Sequence, residues 1–224
     1  MTVIAIDGPA GSGKSTIARL LAARLGFVYL DTGAMYRALA YMALRDGVAL
    51  DDEATLVALT RTAHLGFAGQ GHVNAAGVDV SEEIRLPAVS AAGSEVSAHA
   101  QVRALLVAEQ RRIAAGQDVV MEGRDIGTVV CPDAAVKVFL TARPQVRAER
   151  RRHELLAKGE HVSADETLAA IVARDGSDSS RPVSPLAKAA DAVELDTSAL
   201  DIGQVLDELE RIVSAGLAAA GERR

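Results

Sequence analysis

The run Gly8-Pro9-Ala10-Gly11-Ser12-Gly13-Lys14-Ser15-Thr16 sets glycines, a lysine and hydroxyls in the spacing G-x-x-x-x-G-K-[ST]. Glycine at positive φ, or where a side chain would block approach, leaves a concave row of backbone N–H groups that can cradle a polyanion. Lys14 would then reach the β- and γ-phosphates of a nucleoside triphosphate and Ser15 would ligate magnesium. The positive end of the following helix would face the same phosphates. With glycine at roughly 7% of average usage, a chance match in a chain of this length has odds of about 1%. A Gly-rich turn with a solvated lysine is the bland alternative, and the expected strand before and helix after disfavour it.

The loop alone implies ATP or GTP binding and leaves the reaction open, because switches, motors and kinases share it. Guanine switches read their base with Asn/Thr-Lys-x-Asp. Here Lys137, Lys158 and Lys188 are followed by Val, Gly and Ala, with no Asp two positions on. A Leu-Ser-Gly-Gly segment of transporter ATPases is missing too, so a small kinase remains.

Only four of the 24 basic residues are lysines, and arginine's planar fork suits phosphates, although genome composition accounts for many arginines. Arg37 follows Asp31-Thr32-Gly33-Ala34-Met35-Tyr36, and Arg124-Asp125 follows Val119-Val120-Met121-Glu122-Gly123. Both arginines are expected where strand ends gather a ligand, and both suit a phosphate monoester. A helix-surface Arg37 and a structural Arg124–Asp125 ion pair are the competing readings. Arg147 and Arg151 lie one helical turn apart, either as a lid over ATP, placed at residues 147–165, or as a solvated basic face. Arg174-Asp175 through Asp178 to Arg181 returns two arginines and two carboxylates from an expected helix end, able to clamp the transferring group and the acceptor sugar.

The elements that must position these groups alternate between short apolar β-rich runs and longer segments of helical period. Strands are expected at Thr2–Asp7, Phe27–Leu30, Asp118–Glu122, Ala135–Leu140 and Ala192–Leu195. Helices are expected at Lys14–Leu25, Ala34–Arg45, Gln101–Ala115, Pro144–Lys158, Ala164–Arg174 and Ile202–Leu217. This predicts an α/β domain, a five-stranded parallel sheet wrapped by helices. The closely spaced turn residues of Leu65–Val80 predict an antiparallel hairpin within an acceptor-side insert at residues 59–97, and Ala215–Arg224 is expected to fray.

The 224 residues, 49% apolar and 24% charged, suit one globular domain with an insert and exclude a disordered chain. A net charge of −6 argues against a general nucleic-acid or anionic-membrane binder. The lone Cys131 allows no internal disulfide and is read as a small buried apolar residue. With no secretion signal or membrane-spanning run, a cytoplasmic location is expected.

Four ordered motifs resemble bacterial cytidylate kinases, nucleoside monophosphate kinases with this phosphate loop, over essentially the whole chain. They are Ile6-Asp7-Gly8-Pro9 with the loop, Asp31 to Arg37, Glu122-Gly123-Arg124-Asp125-Ile126-Gly127-Thr128-Val129-Val130, and Arg174-Asp175 to Pro185. The resemblance implies transfer of the ATP γ-phosphoryl to CMP or dCMP with magnesium, in pyrimidine nucleotide metabolism, by a monomer. It implies that Ser94, Arg103 and Asp125 read cytosine, that Arg37 and Arg124 hold the acceptor phosphate, and that Asp178 meets the ribose hydroxyl. Arg181 would face the nucleotide and Thr32 would donate a hydroxyl. Lys14, Arg124, Arg147, Arg151 and Arg174 form the implied electrostatic set. Cytosine offers an N4 donor with N3 and O2 acceptors, a pattern that a carboxylate, a hydroxyl and a guanidinium complement. Glu122 stands where some members carry Asp, and Ser177 and Ser179 where some are charged. Glu-Gly-Arg-Asp replaces the Asp-Gly-aromatic-Pro-Arg of adenylate kinases, which disfavours AMP. Kinases of UMP, AMP or shikimate, and a nucleotide-binding regulator without transfer activity, are the competing readings.

Overall fold

Strands buried on both faces read as near-continuous apolar runs, and the five expected ones pair in parallel. A computed structural model describes residues 1–68 and 71–221. In chain order its elements are β1 Val3–Asp7, α1 Lys14–Leu25, β2 Val28–Asp31, α2 Thr32–Arg45, α3 Glu53–Thr62, β3 Gly66–Ala68, β4 His72–Ala75 and β5 Val78–Asp79. Then follow α4 Pro87–Val96, α5 Ala100–Ala114, β6 Val119–Gly123, β7 Val136–Thr141, α6 Pro144–Ala157, α7 Ala164–Ser180, β8 Val193–Asp196 and α8 Ile202–Gly221. The main sheet has the order β2-β6-β1-β7-β8. Its register sets Asp7 beside Gly123 and Asp31 beside Glu122, so the carboxyl ends of β1, β2 and β6 deliver their polar residues to one edge.

Alternation along β1 divides the core. Ile4 and Ile6 pack with Ile17, Leu21 and Leu209 on the α1 and α8 side, while Ala5 joins Leu30, Met121 and Ile126 on the other. A further cluster runs from Met35 and Leu39 of α2 into the insert through Leu56, Val73, Ile84 and Val96, so the acceptor-side elements share α2's apolar face.

The insert contains a three-stranded antiparallel sheet, β3-β4-β5, where a hairpin is expected. Gly69 and Gln70 of that expectation lie outside the described residues. Three other expectations are corrected. Helix α7 runs on past Arg174 to Ser180, because its last turns are tied by side chains to neighbouring elements. Helix α8 continues to Gly221 where fraying is expected, and residues 222–224 lie outside the described residues. Cys131 is half-exposed rather than buried; its thiol lies 3.7 Å from Met121 Sδ, and partial burial pushes its pKa up, which suppresses the reactive thiolate. Among the described residues no helix is long and apolar enough to cross a membrane.

Candidate active site

From Asp7 the chain turns into Gly8 so close to β7 that a Cβ there would sit 2.0 Å from the Leu140 carbonyl oxygen, and its φ is +152°. Only glycine fits such a contact. The loop then closes onto the first turn of α1, where Ser15 and Thr16 are exposed and Lys14 is buried. Lys14 Nζ donates to the Pro9 carbonyl at 2.7 Å and to Ser12 Oγ at 3.4 Å, arching over its own loop. Burial, and next the Arg124 charge, push its pKa down to about 7.

Other cations crowd the same place. Burial and then Arg124 lower Arg174 to about 10, with Arg37 and Arg151 adding repulsion. Among the described residues Arg174 Nε has no hydrogen-bond partner, and its Nη1 reaches Ser90 Oγ at 3.4 Å. Arg37 Nη2 donates to Asp31 Oδ2 at 2.7 Å, and Arg124 Nε to Asp178 Oδ2 at 2.9 Å. Arg151, on α6, pairs loosely with Glu154 at 3.1 Å. Like charges held this close in a partly buried site are unfavourable until a polyanion joins them.

Close to Lys14 stands Glu122, buried on β6. The Tyr29 hydroxyl donates to its Oε1 at 2.6 Å, and the Ser15 hydroxyl lies beside it. Burial and then Asp31 raise the Glu122 pKa. These hard oxygen donors suit magnesium, which accepts one or two protein oxygens and fills its octahedron with water and substrate phosphate. No cluster of three or more His, Cys, Asp or Glu able to hold a metal occurs among the described residues, so Ser15 and Glu122 offer only the partial shell such an ion takes.

The acceptor side gathers around Ser97. Arg103 donates through Nη1 to the Ser97 carbonyl at 3.2 Å and through Nη2 to Asp125 Oδ2 at 2.5 Å, with its guanidinium 5.2 Å from the Tyr36 ring centre. Arg181 Nη1 donates to Ser97 Oγ at 3.0 Å, while its buried Nε and Nη2 lack a hydrogen-bond partner among the described residues. Asp178 Oδ1 lies 4.0 Å from Arg181 Nη2. Burial would raise the Asp178 pKa, but Arg124, Arg181 and Arg174 together outweigh it and the carboxyl is held below the ordinary range. Ser94, half-buried one turn before, makes only a long 3.4 Å bond to the Ser90 carbonyl. Buried donors without partners are rare, and here Arg103 Nε and the Arg181 Nε and Nη2 groups gather in one cluster.

Several expected arrangements differ. Arg124 pairs with Asp178 and Asp125 with Arg103, not with one another. The Thr32 hydroxyl is already engaged, donating to the Glu122 carbonyl at 2.7 Å, because the β2–β6 register sets the two side by side. Arg147 is buried and bonded to protein partners, so it is not part of an open basic face; Arg151, one turn on, is half-buried and more accessible.

Sequence reasoning missed Tyr29, Asp31 and Ser97 as site residues. It also missed a cavity of about 650 Å³ beside the phosphate loop, lined by Gly13 and Thr16 and closed by Arg150, Thr197, Leu200 and Ile202. Arg150 fixes its wall, donating to Thr197 Oγ1 at 2.9 Å and to the Thr197 carbonyl at 2.7 Å. No local pattern marks this cavity, because its lining comes from three separate segments, residues 11–17, 150–154 and 197–205.

A model of the family described as Cytidylate kinase matches residues 4–215. The chain belongs to the cytidylate kinase family. It is 50% identical over 214 residues to a cytidylate kinase of Geobacter sulfurreducens, covering 94% of this chain and 92% of that one. It is 51% identical over 217 residues to a cytidylate kinase of Pelotomaculum thermopropionicum, with 95% and 96% covered. An uncharacterized protein from Eubacterium ventriosum, 13% identical, matches over 96% of this chain and 99% of its own with a TM-score of 0.51, a likeness of fold alone. The resemblance carried by the four motifs thus holds over nearly the whole length.

Proposed function

We propose that the protein transfers the γ-phosphoryl of ATP to CMP or dCMP, giving ADP and CDP or dCDP, as a cytoplasmic monomer. The observation that carries this reading is the convergence of Lys14, Arg124 and Arg174 between a phosphate loop on one side and a cluster of half-satisfied Arg, Asp and Ser groups on the other. Adenine enters the 650 Å³ cavity and the triphosphate lies along residues 8–16. Lys14 exchanges the Pro9 carbonyl for the β- and γ-phosphates. Ser15 and Glu122 would hold magnesium, which would supply neutralisation of charge on the phosphate oxygens.

Arg37 and Arg124 take the acceptor phosphate. Ser94, Arg103 and Asp125 read cytosine, with the carboxylate accepting from N4, and uracil would leave these groups badly paired. Asp178 Oδ1, not taken by Arg124, is available to the ribose hydroxyl, and the free N–H groups of Arg181 face the same nucleotide. Phosphoryl transfer passes through a loose transition state, so the protein's work is positioning and charge neutralisation by Lys14, Arg124 and Arg174. Because Arg147 is fixed on Ala10 and Asp175, the lid expected at residues 147–165 starts at Arg151, and from there to residue 165 it closes and excludes water that would otherwise hydrolyse the γ-phosphate.

A coupled assay with magnesium-ATP and CMP, dCMP, UMP, AMP, shikimate or no acceptor tests the reading. Preference for CMP and dCMP is expected. Equal turnover without acceptor, or turnover only with another acceptor, would reject it.

A further inference from the structure

Arg147 has the geometry of a structural joint. Its Nε donates to the Ala142 carbonyl at 2.8 Å, just past β7, and its Nη1 donates to the Ala10 carbonyl of the phosphate loop at 2.9 Å. The fork then grips Asp175 of α7 with both arms, at 3.0 and 2.6 Å. Around this joint Ala10, Ala148 and Ile171 form an apolar cluster of their own. The packing is tight: a Cβ on Gly11 would meet the Arg147 carbonyl at 3.1 Å and Ile171 Cδ1 at 3.4 Å. Helices α6 and α7 are therefore seated directly on the loop.

Neighbouring side chains on the same stretch of α7 make a second set of contacts. Arg174, adjacent to Asp175, reaches Ser90 on α4; Asp178 grips Arg124; and Arg181 at the helix end reaches Ser97. One helix thus touches the donor loop on one face and the acceptor cluster at three points.

We propose that the Arg147–Asp175 pair is a positioning strut that makes binding of the triphosphate donor and of the nucleoside monophosphate acceptor cooperative. This deepens the kinase reading and rests on it. The Ala10 carbonyl and the Gly11 N–H belong to one trans peptide unit and point in opposite directions. Arg147, by holding that carbonyl, fixes where the Gly11 N–H points. A polyanion that engages the loop N–H groups stabilises the same orientation, which stabilises the Arg147 contact and through it the placement of Asp175. A bidentate guanidinium–carboxylate pair transmits orientation as well as distance, which a single lysine bond would not. Arg174 and Asp178 are then held ready for the acceptor. By linkage the effect is reciprocal: the acceptor tightens donor binding by the same factor.

The test is calorimetric binding of CMP to the full-length protein, with and without a saturating non-hydrolysable ATP analogue and magnesium, for wild type, D175N and I171A. Asn keeps the shape of Asp175 but turns an N–H toward the guanidinium. I171A loosens the same seat without touching the ion pair and serves if D175N does not fold. In the wild type the analogue is expected to tighten CMP binding by about 5-fold or more. In either variant the factor is expected to fall to within about twofold of unity while each nucleotide still binds alone. A wild type without coupling, or a folded variant with the wild-type factor, would overturn the strut. So would loss of donor binding with CMP affinity unchanged, since Arg147 would then serve the donor alone. Failure of the wild type to bind either nucleotide would reject the kinase reading itself, and the strut with it.

Discussion

Lys14 should take up a proton when the donor binds. In the free protein, burial and then the Arg124 charge hold its pKa at about 7. A polyphosphate beside Nζ supplies the opposite charge and returns the amine toward its ordinary value near 10. At pH 7.5 the free amine carries about 0.25 of a proton and the bound amine nearly one, an uptake of about 0.75. At pH 6.0 the free amine is already about 0.9 protonated, so uptake falls to about 0.1. The bound state is the one that holds more protons, so donor affinity weakens as pH rises above 7, by roughly 1 kcal/mol per pH unit near 7.5. Arg174, at about 10, stays charged throughout and adds nothing. The assay is titration calorimetry with a magnesium-free, non-hydrolysable ATP analogue in buffers of different ionisation enthalpy. The slope of observed heat against that enthalpy is the proton uptake. Lys14→Met should abolish it. A slope near zero at pH 7.5, equal slopes at both pH values, or uptake persisting in Lys14→Met would refute the electrostatic account of the loop.

Ser94→Ala removes one neutral hydrogen bond to the base and should raise KM for CMP about 3- to 10-fold, leaving KM for ATP within about twofold; equal effects in steady-state kinetics would exclude base reading by Ser94. Asp178→Ala, by removing both the Arg124 anchor and the free Oδ1, should weaken both acceptors but CMP more than dCMP, by a further factor of about 3 to 10. Identical losses would leave Asp178 as an anchor for Arg124 alone. Asp7 accepts from the Ile126 and Gly127 N–H groups at 2.8 and 2.7 Å, and burial raises its pKa from 3.8 to about 6. The folded state therefore binds this proton more tightly, and the resulting stability is complete below about pH 4 and lost as pH rises through about 6. Urea unfolding of wild type relative to Asp7→Asn should show the wild type losing about 3 kcal/mol across that window, and a pH-independent difference would disprove it.

What was legible in the sequence is what is local. The phosphate loop needs its glycines and its lysine within nine consecutive positions, and the β-rich runs of the main sheet follow from apolar residues that must be buried on both faces. Helix α7 shows where local reasoning stops. Gly176, Ser177 and Ser179 are poor helix formers, so propensity ends the helix near Arg174. The observed helix continues because Arg174, Asp178 and Arg181 are held by Ser90, Arg124 and Ser97, contacts that span 54 to 84 positions. The same holds for roles. A run such as Arg147 to Arg152 looks uniform in sequence, yet helical rotation buries Arg147 against the loop, turns Arg150 onto Thr197 and leaves Arg151 half-buried near Arg174. Four ordered motifs sufficed to name the family, because each carries its own spacing. The partners did not follow, since register alone decides that Tyr29 meets Glu122 and that Asp7 meets the turn after Asp125. The crowding of Lys14, Arg124 and Arg174 belongs to this second kind of information. It arises from three separate segments brought to one sheet edge, and the mutual repulsion there is what a bound polyanion relieves.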